Sequence, residues 1–484
     1  MASHQKNDKT MKDSLESSPR KDFARAELGD SRRVERLLMI TGALMDAPEK
    51  SFPEAVDGHA AKLEATYRFF GNDNIEPEAI IKPHIESTCQ RAEAVGRVYV
   101  IQDTTDLTFE CRNGDFHRQG LGSNSKYTQS LHVHCALAVS ADGTAIPLGL
   151  LDFMTWTKTE EDKAERAADW IKSKRWYEQL ERCKQKLTEE VEVINLWDRE
   201  GDSYENLAQL SDDKQRYIIR GSYDNRPLLD ENGHATGDDI RLALASQEVV
   251  GERTINVGAR RENGRSPSSM KKNPPRKKRE AVVGVRAARL RIKRPCNRSR
   301  NRQPFLDINI VEVVELNPPN EAEPVRWLLL TSEPIDTQKQ MWEVVDGYRT
   351  RWVIEEFFKC LKTGCSVEKR QLKSRDSLER MLAVMMPLAW RLLLMRDLSR
   401  SSLAEQPATL LFSDTELDVL AENVPHRPMD ASPTLGQATL AMAALGGHLK
   451  QSGPPGWLTL WRGFRRLQEL HTGYLLGLRR CVER

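Results

Sequence analysis

Tyr348-Arg-Thr-Arg-Trp-Val-Ile-Glu-Glu-Phe-Phe-Lys-Cys-Leu-Lys362 is the stretch on which the reading of this chain turns. It closes a helix predicted from Thr337 to about Lys362. A helix advances about 100° per residue, so Tyr348, Arg351, Glu355 and Lys362 fall within an arc of roughly 60°. Glu356 lies about 100° from Glu355 and points elsewhere. A face made of a phenol, a guanidinium, a carboxylate and an ammonium is not a core stripe. It reads either as a functional face or as an exposed ion-paired one, because an Arg351–Glu355 pair at this spacing stabilises a helix by only about 0.2–0.5 kcal/mol.

Upstream of this helix, Trp327 to Thr331 reads as a strand. Before it, residues 225–325 read as a mainly β insertion, with strand-like pieces at Arg289–Ile292 and Asp307–Val314. From Glu252 to Arg302 there are eighteen Lys or Arg against three Glu. Such a block is a solvated tail or a contact surface for polyanions. Further back, Val98–Gln102 is a buried run ending at Asp103. Leu131–Ser140 and Ala145–Phe153 form a hairpin through the turn Ala141-Asp142-Gly143. A charged helix over Glu160–Glu189 leads to the strand Val191–Trp197, which ends at Asp198. A helix near Tyr204–Leu210 and a strand over Arg216–Gly221, carrying Arg220, complete this alternating α/β part. Towards the N-terminus, helices are predicted over Arg25–Met45, with Arg32, Arg33 and Arg36 on it, over Ala60–Phe70, and from Pro77. After Arg370 the chain reads as helical, with a hinge at Gly453–Gly456 ahead of Trp457 and Trp461.

The resulting organisation is a disordered tail (1–20), a helical recognition domain (21–92), an α/β core in two pieces (93–224 and 326–372) split by the basic β-rich insertion (225–325), and a C-terminal helical domain (373–484). A chain of 484 residues is too long for one core. The net charge of +2 says little about partners, so the local basic block carries that argument. The cysteines form no CxxC pair and match no zinc spacing, which suits a reducing compartment. Met1–Lys21 has no apolar signal core. Met381–Met395 is interrupted by Arg391 and is too short to span a bilayer, so it reads as a buried helix. A cytoplasmic protein without membrane association is expected.

Asp103 and Asp198 at strand ends are rigidly held carboxylates, and active sites of α/β sheets gather there. With Glu355 on the helix they suit a pair of magnesium ions roughly 3.5–4 Å apart, since magnesium takes hard oxygen ligands and leaves positions for phosphate. Bland alternatives stand beside these readings. Asp103 also reads as a turn cap through Thr104 and Thr105. Glu200 and Asp202 compete with Asp198 as acids of the same loop. Trp327 alone reads as core, and Arg32, Arg33 and Arg36 as an ordinary helix surface. His132 and His134 alternate along a strand and read as structural rather than as zinc ligands.

The spacing Tyr348-x2-Arg351-x3-Glu355-x6-Lys362 resembles the YREK signature of DDE transposases of the IS-four family. Leu28-Gly-Asp-Ser-Arg-Arg33, Tyr67-Arg-Phe69, Asp103-Thr-Thr105, Gly120-Leu-Gly-Ser123, Asp198-Arg-Glu200, Trp327-Leu-Leu-Leu-Thr-Ser-Glu-Pro334, Lys362-Thr-Gly364 and Ala444-Leu-Gly-Gly447 look similar to that family and run in the same order. The resemblance implies an α/β, RNase H-like catalytic core with a β-rich insertion, flanked by helical domains. It implies catalytic and metal-ligating roles for Asp103, Asp198 and Glu355, with two Mg2+ ions per site and Mn2+ as a substitute. It implies DNA contacts at Tyr348, Arg351, Lys362, Lys359 and Arg220, and a base stacked on Trp327. The implied activity is cut-and-paste transposition of a bacterial element. Ends are cleaved through hairpin intermediates and strands are transferred into target DNA. The implied partners are double-stranded DNA, both element ends and target, and a second copy of the chain in a paired-end homodimer. The chain departs from the family at Phe358, where a histidine is expected. Two other readings are an inactive or inhibitory DNA-binding relative and another RNase H-like nuclease; the intact acids disfavour the first, and the Tyr-Arg-Glu-Lys face with the basic insertion disfavours the second.

Overall fold

The computed structural model describes residues 19–46, 48–111, 117–157, 169–260, 275–296, 302–320, 323–398, 402–410, 412–449, 451 and 453–482. In chain order the helices are α1 (Pro19–Phe23), α2 (Ser31–Asp46), α3 (Phe52–Ala55), α4 (Ala60–Phe70), α5 (Pro77–Val95), α6 (Asp169–Lys184), α7 (Tyr204–Asp212), α8 (Ile240–Ala245), α9 (Gln338–Thr350), α10 (Trp352–Lys359), α11 (Arg375–Leu398), α12 (Asp414–Asn423), α13 (Leu435–Leu445) and α14 (Trp457–Val482). The strands are β1 (Arg97–Glu110), β2 (Gly122–Ser125), β3 (Thr128–Ser140), β4 (Pro147–Trp156), β5 (Glu192–Trp197), β6 (Arg216–Arg220), β7 (Pro227–Leu229), β8 (Ala235–Asp239), β9 (Val250–Val257), β10 (Arg279–Lys293), β11 (Phe305–Glu315) and β12 (Arg326–Thr331). The expected tail lies outside the described residues up to residue 18, and α1 begins at Pro19. Most of the stretch from Asn263 to Arg279 is likewise outside them.

This mixed α/β chain divides into two compact units. The first takes its described residues from Met1–Ala167, Gln179–Val193 and Trp352–Arg484, the second from Ala168–Glu178 and Ile194–Arg351.

In the first unit, the helix read from Arg25 begins instead at Ser31, because Gly29 sits in the left-handed region (φ 73°) and turns the chain. Phe52 stacks on Phe70 at 5.3 Å and Tyr67 meets Phe52 edge-on, which closes a small helical core. Pro77 starts α5 and left-handed Gly96 ends it, feeding directly into β1. β1 pairs with β3 antiparallel over its whole length, from Val98 opposite Ser140 to Glu110 opposite Thr128. β2 and β4 therefore share the other edge of β3. Helices α5 and α11 cover β4. At Gly149 (φ 141°) the approach is so close that a Cβ would lie 2.1 Å from Thr88 Oγ1. The apolar run Met381–Met395 is a buried part of α11, as its length predicted.

In the second unit, β5 and β6 are parallel neighbours, with Trp197 opposite Ile219. β12, β11 and β10 follow antiparallel, and β7 and β9 both pair with β10. The arginines of β10 are not a bare basic stripe. Arg286 faces its register partner Glu312 (2.6 Å), and Arg291 faces Asp307 (2.7 Å). Arg279 bonds Glu315 (2.8 Å), and Arg326 of β12 takes the second oxygen of Glu312 (2.5 Å). Arg289 pairs with Asp336.

Candidate active site

Each proposed site residue has a definite seat. Asp103 is buried in the middle of β1, not at its end. Thr104 and Thr105 are strand residues rather than a turn, because pairing to β3 runs on for seven residues past Asp103 to Glu110. Side chains alternate along a strand, so Asp103 and Thr105 share one face while Thr104 and Asp106 occupy the other. That second face is fixed by the two histidines of β3. His134 Nδ1 meets Thr104 Oγ1 at 2.9 Å, and His132 Nδ1 meets the Asp106 carboxylate. His132 also stacks on Trp156 at 5.3 Å. Lys362 Nζ donates to the Asp106 carbonyl at 2.6 Å, which brings this lysine to the strand that carries Asp103.

The helix expected from Thr337 to Lys362 is interrupted. A capping box at Thr337 and Gln340 starts α9, α9 ends at Thr350, α10 starts at Trp352, and Cys360–Gly364 is a π turn closed by Cys365 N–H to Cys360 O (2.8 Å). The regular 100° advance therefore holds within α9 and α10 and not through Lys362. Within α10, which packs against β1, Glu355 is half-buried. Glu356 is engaged on its own side of the helix, by Lys359 Nζ (2.5 Å) and Arg396 Nη1 of α11 (2.7 Å). Burial pushes the Glu356 carboxyl up, but the Lys359 bond and the Arg396 charge outweigh it and hold the group below its usual value. Lys359 also lies 5.6 Å over the exposed ring of Trp352.

The second unit gathers five site residues. Asp198 directly follows the last residue of β5, at the strand end the sequence predicts, and its side chain accepts from Glu200 N–H at 2.7 Å. Burial raises the Asp198 carboxyl above the usual carboxylate value, against the Glu200 bond and the charge of Arg351. Its competitors have partners of their own: Glu200 pairs with Arg175, and buried Asp202 pairs with Arg226 at 2.6 Å. Arg220 ends β6, donates to the Arg326 carbonyl (2.7 Å) and lies 5.2 Å over Trp327. Trp327 meets Tyr348 edge-on at 6.0 Å. Burial, reinforced by the charges of Arg199, Arg351 and Arg326, pushes Arg220 down to about 10. Burial pushes the Tyr348 phenol up, opposed by Arg351 and Arg220. Several cations around one aromatic edge repel one another, and a polyanion relieves that cost.

In the N-terminal helices, Arg32 is exposed and paired with Asp30 at 2.8 Å. Arg33 spends a nitrogen on the Leu28 and Asn74 carbonyls (2.8 and 3.2 Å), and Arg36 is half-buried. Arg33 thus fastens its own domain. Arg175, Arg226 and Arg396, which pair with Glu200, Asp202 and Glu356, carry no local sequence signal, because their partners lie 24–40 residues away.

Asp103 and Glu355 belong to the first unit and Asp198 to the second. Among the described residues, no group of three or more His, Cys, Asp or Glu is gathered to hold a metal. Carboxylate oxygens are the donors a hard dication takes, and the raised Asp198 carboxyl is one whose charged form a cation would favour. No helix among the described residues is long and apolar enough to cross a membrane.

The Transposase DNA-binding family matches residues 17–75, and the Transposase DDE domain matches residues 172–388. The chain is a transposase with a DNA-binding domain and a DDE domain, the latter implying phosphoryl transfer. The first match includes Arg32, Arg33 and Arg36; the second includes Asp198, Arg220, Trp327, Tyr348, Arg351, Glu355, Lys359 and Lys362, while Asp103 precedes it.

Proposed function

We propose that this DNA-binding DDE transposase is a cut-and-paste enzyme of the IS-four family, similar to the Tn-five transposase, with an RNase H-like core as DDE domains imply. The observation that carries the reading is the seating of Asp198, Arg220, Trp327, Tyr348 and Arg351 around one corner of the second unit. Asp103, Asp198 and Glu355 would hold divalent magnesium or manganese, which when bound supplies charge to the attacking and leaving oxygens. Arg220, Tyr348 and Arg351 hold backbone phosphate, and Trp327 offers a face to an unstacked base. Lys362, anchored on the Asp103 strand, and Lys359 hold phosphate near the cut. Arg32, Arg33 and Arg36 belong to the domain that reads the element ends. The chain acts as a dimer on two ends, cutting through hairpins and joining the freed ends to target DNA.

The test is cleavage by purified protein, with magnesium, of the DNA that flanks its own gene, beside Asp103→Ala. Double-strand breaks with hairpin intermediates, lost in the variant, support the reading. Specific binding without cutting points instead to an inhibitory relative, and cutting that survives Asp103→Ala removes Asp103 from the site.

A further inference from the structure

We propose that Asp202 and Arg226 are positioning residues for the Asp198 carboxylate, setting metal affinity without touching DNA. The inference rests on Asp198 being a metal ligand, as proposed above.

β5 and β6 are parallel and adjacent, so the segments that leave their C-terminal ends emerge side by side. The first of these is Asp198-Arg-Glu-Gly-Asp202, a single 3-10 turn with backbone bonds Gly201 N–H to Asp198 O (3.2 Å) and Asp202 N–H to Arg199 O (3.3 Å). One short turn is weak by itself. It is stitched to the second segment, which follows Arg220, by several hydrogen bonds. Asp202 Oδ1 accepts from Arg226 Nη2 at 2.6 Å, Asp202 Oδ2 accepts from Ser222 N–H at 2.6 Å, and Ser222 Oγ donates to the Arg199 carbonyl at 2.9 Å. Asn206 Nδ2 adds a bond to the Gly201 carbonyl at 3.1 Å. The turn also sits directly on Trp197, since a Cβ at Gly201 would lie 3.0 Å from that side chain.

The Asp202 side chain is wholly buried and that of Arg226 nearly so, at 0% and 9% exposure. A buried ion pair adds little net stability over an apolar substitute, because desolvation offsets its attraction. Its value lies in geometry: both carboxylate oxygens are taken, so the turn has one conformation, and Asp198 opens that turn. Asp202 faces away from solvent and is spent, so it is not itself a ligand. Partners that orient a metal ligand typically change affinity 10–100-fold when removed.

The experiment measures Mn2+ occupancy of the full-length protein by electron paramagnetic resonance. Melting and DNA binding are followed alongside, for Asp202→Asn, Arg226→Lys, Ser222→Ala and Asp198→Asn. Asp202→Asn and Arg226→Lys should raise the half-saturating Mn2+ concentration about tenfold, while DNA affinity stays near that of the parent chain and cutting recovers at high metal. Ser222→Ala should shift it in the same direction by less. Unchanged Mn2+ binding in folded Asp202→Asn and Arg226→Lys overturns the proposal. If those two do not fold, unchanged Mn2+ binding in Ser222→Ala overturns it and a raised half-saturation supports it. Loss of metal and DNA binding in parallel with melting shows a role in stability only and also overturns it. Asp198→Asn separates the two readings: normal Mn2+ binding there defeats the active-site assignment, whereas lost binding there with normal binding in the others defeats only this inference.

Discussion

Glu356→Gln tests the assignment of neighbouring carboxylates. Glu356 bonds Lys359 (2.5 Å) and Arg396 (2.7 Å); its own side chain and that of Arg396 are each 16% exposed, and that of Lys359 is 55% exposed. The Lys359 pair, exposed and one helical turn away, contributes about 0.2–0.5 kcal/mol. Removing one partner of a fully buried pair costs about 3–5 kcal/mol, and an exposed pair contributes about 0–1 kcal/mol. The mostly buried Arg396 contact lies between, so Glu356→Gln should cost about 2 kcal/mol, lowering Tm by roughly 3 °C for a unit of this size. The sign with pH follows from the depressed Glu356 carboxyl. Its stabilisation is present above the ordinary glutamate value of 4.5 and is lost as pH falls through the lower folded value. The Tm gap between parent and variant should therefore close in acid. Calorimetric melting across pH, with magnesium-dependent cleavage well below Tm, is the assay. Glu356→Gln should melt early and still cut; Glu355→Gln should bind DNA and not cut. A stable but inactive Glu356→Gln beside an active Glu355→Gln would refute the helix register.

Trp327→Ala should weaken binding of cleaved element ends by about 1–3 kcal/mol, the usual worth of one stacked base, with Trp327→Phe recovering most of it. Equal anisotropy titrations for all three would remove the tryptophan from DNA contact. End binding should weaken linearly in log–log plots against salt, by about 0.9 per neutralised phosphate, and a flat plot would count against phosphate contact. Gly149→Ala should cost about 3 kcal/mol or more in denaturant melts, because it adds a methyl against Thr88 at a left-handed angle; an unchanged midpoint would contradict the close packing of α5 on β4.

Elements whose signals are local were legible in the sequence. β5 ending at Asp198 follows from an apolar run closed by an acid, and the β3–β4 hairpin follows from Ala141-Asp142-Gly143, where Gly143 takes φ 93°. β1 was harder. Thr104 and Thr105 fit a turn or a strand equally, and what decides is pairing with β3, some thirty residues away. The break after Thr350 and the π turn at Cys360 leave no mark in side-chain spacing, which assumes a uniform 3.6-residue period. Lysine and arginine density between Glu252 and Arg302 was plain, but not the pairing of its β10 arginines, since the acids on β11 lie 16–36 residues from the arginines they meet.

The paired arginines of β10 bear on how such a protein spends its time on a chromosome. Attraction to ordinary duplex scales with the cations left uncompensated. A strand whose guanidiniums are already satisfied by Glu312, Glu315 and Asp307 has little uncompensated charge to offer unrelated sequence. On the proposed reading, residence on the vast excess of irrelevant sites would shorten, and the contacts that distinguish an element end would make up a larger share of the total grip.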